Sequence, residues 1–451
     1  MIIATKNIAF QVFLAGAASL CIQSYALAGI PIQHWTQASG AEVYLVESPA
    51  IAMVDVQVDF DAGSRRDPPA QAGRASMMAG MLDKGVRAED GAPALDENAL
   101  SEAWADLGAQ FGAGASSDRL DFSLRSLTEP DLLDKAVGLA AREIAEPSFP
   151  DPVWQRERQR VQAAIKESNT RPGTVIGRAY AQAVYGTHPY GYEVTEATLA
   201  RIDVGDMRAA HDAGVVACRA RISMVGAITR AQADAMAARL LSRLPQVPCA
   251  SLPPLPAVME VAPLSQSEEK RIPFDSAQAH VLIGQPGFKR ADPDYFALTV
   301  GNYILGGGGF VSRLTNEVRE KRGLTYGVSS SFSPGLHAGS FTVGLQTRPD
   351  QAAEAVALVR QVVSNFVANG PTEAELKAAK DNLIGGFALR IDSNRKLLDN
   401  IAAIAWNDLP LDYLDTWTQQ VNKVTAADIK AAFARKLQPE KMVTVILGAA
   451  L

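Results

Sequence analysis

The chain carries one pattern twice. Strand-like text at Val54-Asp55-Val56-Gln57-Val58-Asp59-Phe60 runs into Asp61-Ala62-Gly63, then Asp67-Pro68, then helical text. About 225 residues later His280-Val281-Leu282-Ile283-Gly284 runs into Gln285-Pro286-Gly287, then Asp292-Pro293, then helical text. Towards the end of each copy Asp206-Met207-Arg208-Ala209-Ala210 matches Asp428-Ile429-Lys430-Ala431-Ala432. Ile222-Ser223-Met224-Val225-Gly226 likewise matches the strand that closes at Val445-Ile446-Leu447-Gly448, both pairs lying 222 residues apart. Four landmarks in one order at nearly one spacing point to a duplicated pair of α+β domains. The length agrees, since 451 residues exceed what one ordinary core organises. Residues 245–263 hold six prolines and little helical periodicity, the composition of a stiff connector. The expected organisation is therefore a unit over 29–244, a linker over 245–265 and a second unit over 266–451.

Within each copy, strand text alternates with amphipathic helices, predicting a mostly antiparallel sheet covered by helices mainly on one face. Helices are expected over 131–144, 152–168, 352–367, 373–390 and 426–436, and a strand over 339–345, where apolar and polar residues alternate.

Residues 1–28 read as an export signal: Lys6 supplies the positive end, residues 8–20 the apolar run, and Ala26-Leu27-Ala28 the small-x-small cleavage site before Gly29. The run is too short to span a bilayer, and no later stretch is long and apolar enough. A periplasmic protein without a membrane partner is expected. With Lys+Arg 43 against Asp+Glu 49 and the signs interspersed, nucleic acid is not an expected partner. Beyond the signal, Cys218 and Cys249 remain. An oxidising compartment permits a disulfide between them, and a buried thiol at Cys218 with an exposed one at Cys249 fits equally well.

The segment Gly73-Arg74-Ala75-Ser76-Met77-Met78-Ala79-Gly80-Met81-Leu82-Asp83-Lys84-Gly85 resembles the zinc helix of pitrilysin/insulinase-type peptidases, the inverzincins. Their pattern is Gly-x-Ala-His-x-x-Glu-His-Met-Leu-x-Lys-Gly. There two imidazoles one turn apart bind zinc and the glutamate activates water. Ser76, Ala79 and Gly80 stand at those three positions, so the resemblance implies no metal and no cofactor in this chain. The five histidines, His34, His188, His211, His280 and His337, are too dispersed for two to share a helical turn. Gly63, Lys84-Gly85 and His188-Pro189-Tyr190-Gly191 are further family landmarks. Glu157, 77 residues after Gly80, looks like the family's distal glutamate ligand; by its neighbours alone it is one carboxylate in the charged run 156–160.

The second copy resembles the family in the opposite sense. Arg319-Glu320-Lys321-Arg322-Gly323-Leu324-Thr325-Tyr326 is similar to the arginine/tyrosine pair that faces the scissile peptide. Arg319 is expected to end a helix begun near Ser312, Gly323 to permit a reversal, and Tyr326 to open a strand running through Phe332, turning both donors into one cleft. A guanidinium and a phenol there can bind a carbonyl and the oxyanion that grows on it. The plainer reading places Arg319 in a helical charge cluster with Glu317, Glu320, Lys321 and Arg322, and Tyr326 in the core. Gly306-Gly307-Gly308-Gly309 precedes Phe310 without a Lys-Ser/Thr and outside any Rossmann unit, which argues against a phosphate cradle. It reads as a helix–helix turn, and the resemblance adds a substrate-holding role for Gly306 to Phe310, as in the zinc-less subunit of the mitochondrial processing peptidase.

The resemblance extends from about residue 40 to the C-terminus and implies two duplicated units forming a clamshell. It further implies a zinc-lacking subunit of a heterodimeric zinc endopeptidase, inactive alone, whose homologous partner carries the zinc and whose substrate is a peptide. The alternative is a proteolytically inactive scaffold or peptide-binding homodimer of the same fold, comparable to the core subunits of respiratory complexes.

Overall fold

A computed structural model of the chain describes residues 29–89 and 91–448. The export signal expected over 1–28 lies outside the described residues. The first unit contains β1 (Gln33–Thr36), β2 (Glu42–Glu47), β3 (Met53–Phe60), β4 (Gly85–Val86), β5 (Leu95–Asp96), β6 (Gln110–Ala115), β7 (Leu120–Leu127) and β8 (Arg221–Gly226). The second contains β9 (Glu269–Pro273), β10 (Ala279–Pro286), β11 (Val328–Phe332), β12 (Ser340–Thr347) and β13 (Val443–Gly448).

The sheets repeat one topology. The first is six-stranded in the order β1-β2-β8-β3-β7-β6, and the second five-stranded in the order β11-β12-β10-β13-β9; β4 and β5 pair separately. In both, one parallel pair, β2 with β8 and β9 with β13, borders antiparallel strands. Reading β9-β13-β10-β12-β11 against β2-β8-β3-β7-β6 superposes the two orders, with β1 as an added edge. The repeated Asp206 and Asp428 are explained too, since each closes a capping box, with Asp203 at Val204–Gly214 and with Thr425 at Ala426–Lys436.

Helices Pro130–Ala145, Asp151–Ser168 and Ala352–Asn369 form where the apolar spacing predicts. The stretch expected as one helix over 373–390 divides into Glu373–Gly385 and a short turn Phe387–Arg390. The adjacent Gly385 and Gly386 carry low helix propensity and interrupt it.

Each unit covers one face of its sheet with its own helices and the other with a helix from the opposite unit. Asn394–Trp406, from the second unit, crosses β8 and β3 and buries Leu398, Ile401 and Ile404 against Tyr44, Val46 and Val225. Reciprocally, Pro172–Tyr185 of the first unit lies on β10 and β13, burying Ile176, Tyr180 and Val184 against Val443, Val445 and Leu447. The Tyr180 hydroxyl donates to the Phe341 carbonyl at 2.8 Å. The exchange explains why β3 is buried on both faces. Val54, Val56, Val58 and Phe60 join the first unit's core, while Asp55, Gln57 and Asp59 face the visiting helix. Asp55 is paired with Arg125 at 2.7 Å, and Asp59 accepts from Gln57 at 2.9 Å. Burial pushes the Asp59 carboxyl up to about 7, against the pull of Arg119.

Cys218 and Cys249 form a disulfide, 31 residues apart in sequence, which resolves the two options the composition left open. It staples the start of the linker to the turn before β8. By loop-closure entropy such a bridge is worth about 3–4 kcal/mol. Cys249→Ser is therefore expected to lower the unfolding free energy by that order in a urea titration, and dithiothreitol to do the same to the native chain. Coincident curves in oxidised and reduced protein would contradict this.

Candidate functional site

Helix Arg74–Met81 keeps the frame of the motif without its ligand side chains. Ala75, Met78, Ala79 and Met81 point inward, and the helix packs on Val204–Gly214 and β6. The Asp67 carboxylate accepts from the Gly73 and Ala75 amides at 2.9 and 3.0 Å, satisfying donors at the helix start. Burial raises the Asp67 carboxyl to about 6, and these amide bonds hold it from rising further. Ser76 and Gly80 are exposed on the outer face and Ala79 is buried. One hydroxyl and no imidazole do not fit a zinc site.

Glu157 lies on the neighbouring helix Asp151–Ser168, which shares a cavity of about 480 Å³ with Met77 through Val161 and Ile165. Its carboxylate is already engaged. Arg160 Nε donates at 2.7 Å and Arg156 at 3.2 Å, while Arg156 also forks onto Glu97 with two bonds of 2.7 Å. Burial alone would raise the Glu157 carboxyl, but the two guanidiniums outweigh it and hold it below the usual range. The charged run 156–160 thus behaves as an ion-pair network. Among the described residues no three His, Cys, Asp or Glu side chains converge to hold a metal.

In the second unit, Arg319 sits in a π-helical turn, Thr315–Glu320, that begins directly after Leu314. Gly323 takes φ +63° at the reversal, where its amide returns to the Arg319 carbonyl at 2.9 Å. Thr325 Oγ1 donates to the Gln346 carbonyl at 2.5 Å and pins the segment to the end of β12. Tyr326, next in line, is thrown outward and is 87% exposed. β11 starts two residues later than expected, at Val328, and a core position for Tyr326 is excluded. The Arg319 guanidinium stacks over the Phe310 ring at 4.7 Å and lies 3.5 Å from Glu320. It thus belongs to the surface charge cluster and to the aromatic tip at once.

Phe310 and Val311 form that exposed tip. Behind it, the glycine run is packed rather than loose: a Cβ on Gly306 would stand 2.5 Å from the Ser330 amide. Ser330 and Asn302 exchange hydrogen bonds of 2.7 and 3.1 Å there. Gly306, Gly307, Gly308, Gly309, Phe310, Arg319 and the strand that Tyr326 precedes therefore share one neighbourhood around β11. Ser76, Ala79, Gly80 and Glu157 sit on the first unit.

A cavity of about 880 Å³ belongs to neither group. It lies under the linker and borders Ala75 and Met78, the inward face of the degenerate helix, but not Ser76, Ala79 or Gly80. Sequence reasoning missed it. The available signal was the apolar residues Leu255, Val258 and Leu264 set among the prolines, which a solvated connector does not need.

This architecture, two α+β units that share a five-strand topology, with a zinc-type helix that lacks the ligand side chains, defines a two-unit metallopeptidase fold. The chain belongs to peptidase family M16, the insulinase or pitrilysin family. Residues 42–198 match the description "Insulinase (Peptidase family M16)" and residues 201–383 match "Peptidase M16 inactive domain". A crystal structure of a peptidase M16 inactive domain from Pseudomonas fluorescens superposes with a TM-score of 0.86 at 35% identity, covering 93% of this chain and 98% of that one. The zinc protease YmxG of Bacillus subtilis, described as uncharacterized, is 24% identical, over 92% of this chain and 98% of its own length. The Helicobacter pylori protein described as "Non-peptidase homolog YmxG" is 25% identical, over 88% of this chain and 89% of its own. The periplasmic protease PqqL of Escherichia coli shares the fold, with TM-score 0.78 and 18% identity over 98% of this chain but 49% of PqqL. No helix among the described residues is long and apolar enough to cross a membrane.

Proposed function

We propose that this chain is the zinc-lacking subunit of a periplasmic heterodimeric zinc endopeptidase. In this reading it lends Arg319 and Tyr326 to a homologous subunit that carries the zinc helix. The observation that carries it is Tyr326, 87% exposed and held outward seven residues after Arg319 although a phenol gains by burial. A helix that offers Ser76 and Gly80 where ligands belong makes a second module necessary.

In the assembled enzyme the partner provides the metal and its activated water. This chain's part is electrostatic: the Arg319 guanidinium and the Tyr326 hydroxyl donate to the scissile carbonyl oxygen and hold the negative charge that develops on it. Phe310 and the turn Gly306 to Gly309 hold the peptide chain alongside. An extended, unfolded peptide is the substrate this open surface accepts.

Reconstitution tests it. Alone, the chain should cleave nothing; mixed with a zinc-motif homologue from the same genome it should raise peptide hydrolysis. Arg319→Ala and Tyr326→Phe should each reduce kcat/KM of the mixture by roughly 10²–10³, the usual loss for one oxyanion donor. Undiminished hydrolysis in both variants would remove the role assigned to the pair.

A further inference from the structure

We propose that the cavity between the linker and the first unit is a binding site for a small apolar carboxylate. Its volume, about 880 Å³, suits a small ligand. Ala75, Met78 and Val184 form its floor, and the linker from Leu255 to Ser265 supplies its roof, with Met259 and Leu264 among the apolar contributions.

Three donors in the polar part of the lining have no acceptor. Arg65 Nε, Arg74 Nε and His188 Nε2 are buried nitrogens with no hydrogen-bonding protein partner, and all three residues line this cavity. Arg65 is 7% exposed and His188 6%. His188 Nδ1 accepts from the Tyr190 amide at 3.1 Å, so the neutral ring carries its proton on Nε2 as a donor. The Met259 carbonyl faces that ring without reaching hydrogen-bond geometry. Arg65 Nε stands 3.3 Å from Asp118, misaligned. A buried donor left without an acceptor is destabilising. Three of them on one wall select a ligand that brings acceptor oxygens to that wall.

The wall's own carboxylates do not meet that need. Asp61 is held by Arg65 and Arg66 at 2.6 and 2.5 Å, and Asp67 by two backbone amides. Glu260 is paired with Lys289. Arg74 is the least neutralised cation, with Asp67 3.9 Å away, and so anchors the head group. A carboxylate on an apolar body satisfies both halves of the lining. A fatty acid and the C-terminus of an apolar peptide share that chemistry.

Calorimetric titration of the isolated chain tests this without any partner subunit, so its outcome is separate from that of the reconstitution. The probes are decanoate, trileucine, trileucine amide and decyltrimethylammonium. One equivalent of decanoate or trileucine should bind, while the amide and the ammonium should not. Saturation by decanoate only assigns a lipid-derived ligand, and by trileucine only a peptide end. Arg74→Met should weaken binding tenfold or more, and Ala213→Trp, which fills the cavity, should abolish it, each in a chain whose circular dichroism matches the parent. Failure of both carboxylates to bind below about 1 mM, or equal binding by both variants and the parent, would overturn the proposal.

Discussion

The triple substitution Ser76→His, Ala79→Glu and Gly80→His is expected to give a chain that retains one equivalent of zinc. Ser76 and Gly80 lie on the exposed face of Arg74–Met81, and a Cβ built on Gly80 meets nothing within 4 Å. The first and third changes put two imidazoles four residues apart on one helical face, a chelating arrangement. Replacing Gly80 by histidine also removes a helix-interior glycine, a gain of about a few tenths of a kcal/mol. The third protein ligand would be Glu157, which must leave Arg156 and Arg160; those side chains are 53% and 72% exposed, so the ion pairs given up are weak. Adding Glu157→Gln should then weaken zinc binding by at least the 10–100-fold typical of losing a supporting group. Elemental analysis and competition with a chromogenic chelator measure both steps. A triple variant with no more zinc than the parent would mean that the frame is no longer spaced for a metal.

The second large effect concerns the exchanged helices. Ile401 is fully buried where the second unit's helix crosses the first unit's sheet, and Ile176 is 3% exposed in the reciprocal contact. Truncation of either to alanine removes apolar area and leaves a void, at about 2–5 kcal/mol each. Because the sites lie on different sheets, the double variant should be close to the sum. Both changes should lower the midpoint of one cooperative transition monitored across the whole chain. A separate early transition confined to one unit would show that the units do not depend on each other's helices.

Much of the site was legible because chemistry depends on residue identity. That Ser76, Ala79 and Gly80 cannot ligate zinc needs no coordinates, and neither does the reversal at Gly323, where φ is +63°. The position of Tyr326 was not legible: its burial depends on Thr325 reaching the Gln346 carbonyl, 21 residues along the chain, which no local pattern encodes. Glu157 was open for a similar reason. Its sequence neighbours Arg156 and Arg160 can pair with it or extend into solvent, and only packing chooses. The cavity wall joins residues 65, 74, 188 and 259, which no periodicity relates.

By itself the amino-acid sequence determined the duplication, the strand and helix repertoire of each copy, and the loss of the metal ligands, since these follow from periodicity, spacing and side-chain chemistry. The tertiary structure alone decided that each sheet takes a helix from the other unit, that Cys218 bonds to Cys249, and that three buried donors face one cavity. Those outcomes depend on surfaces and distances between residues far apart in the chain, and close packing selects among pairings that local sequence leaves equivalent.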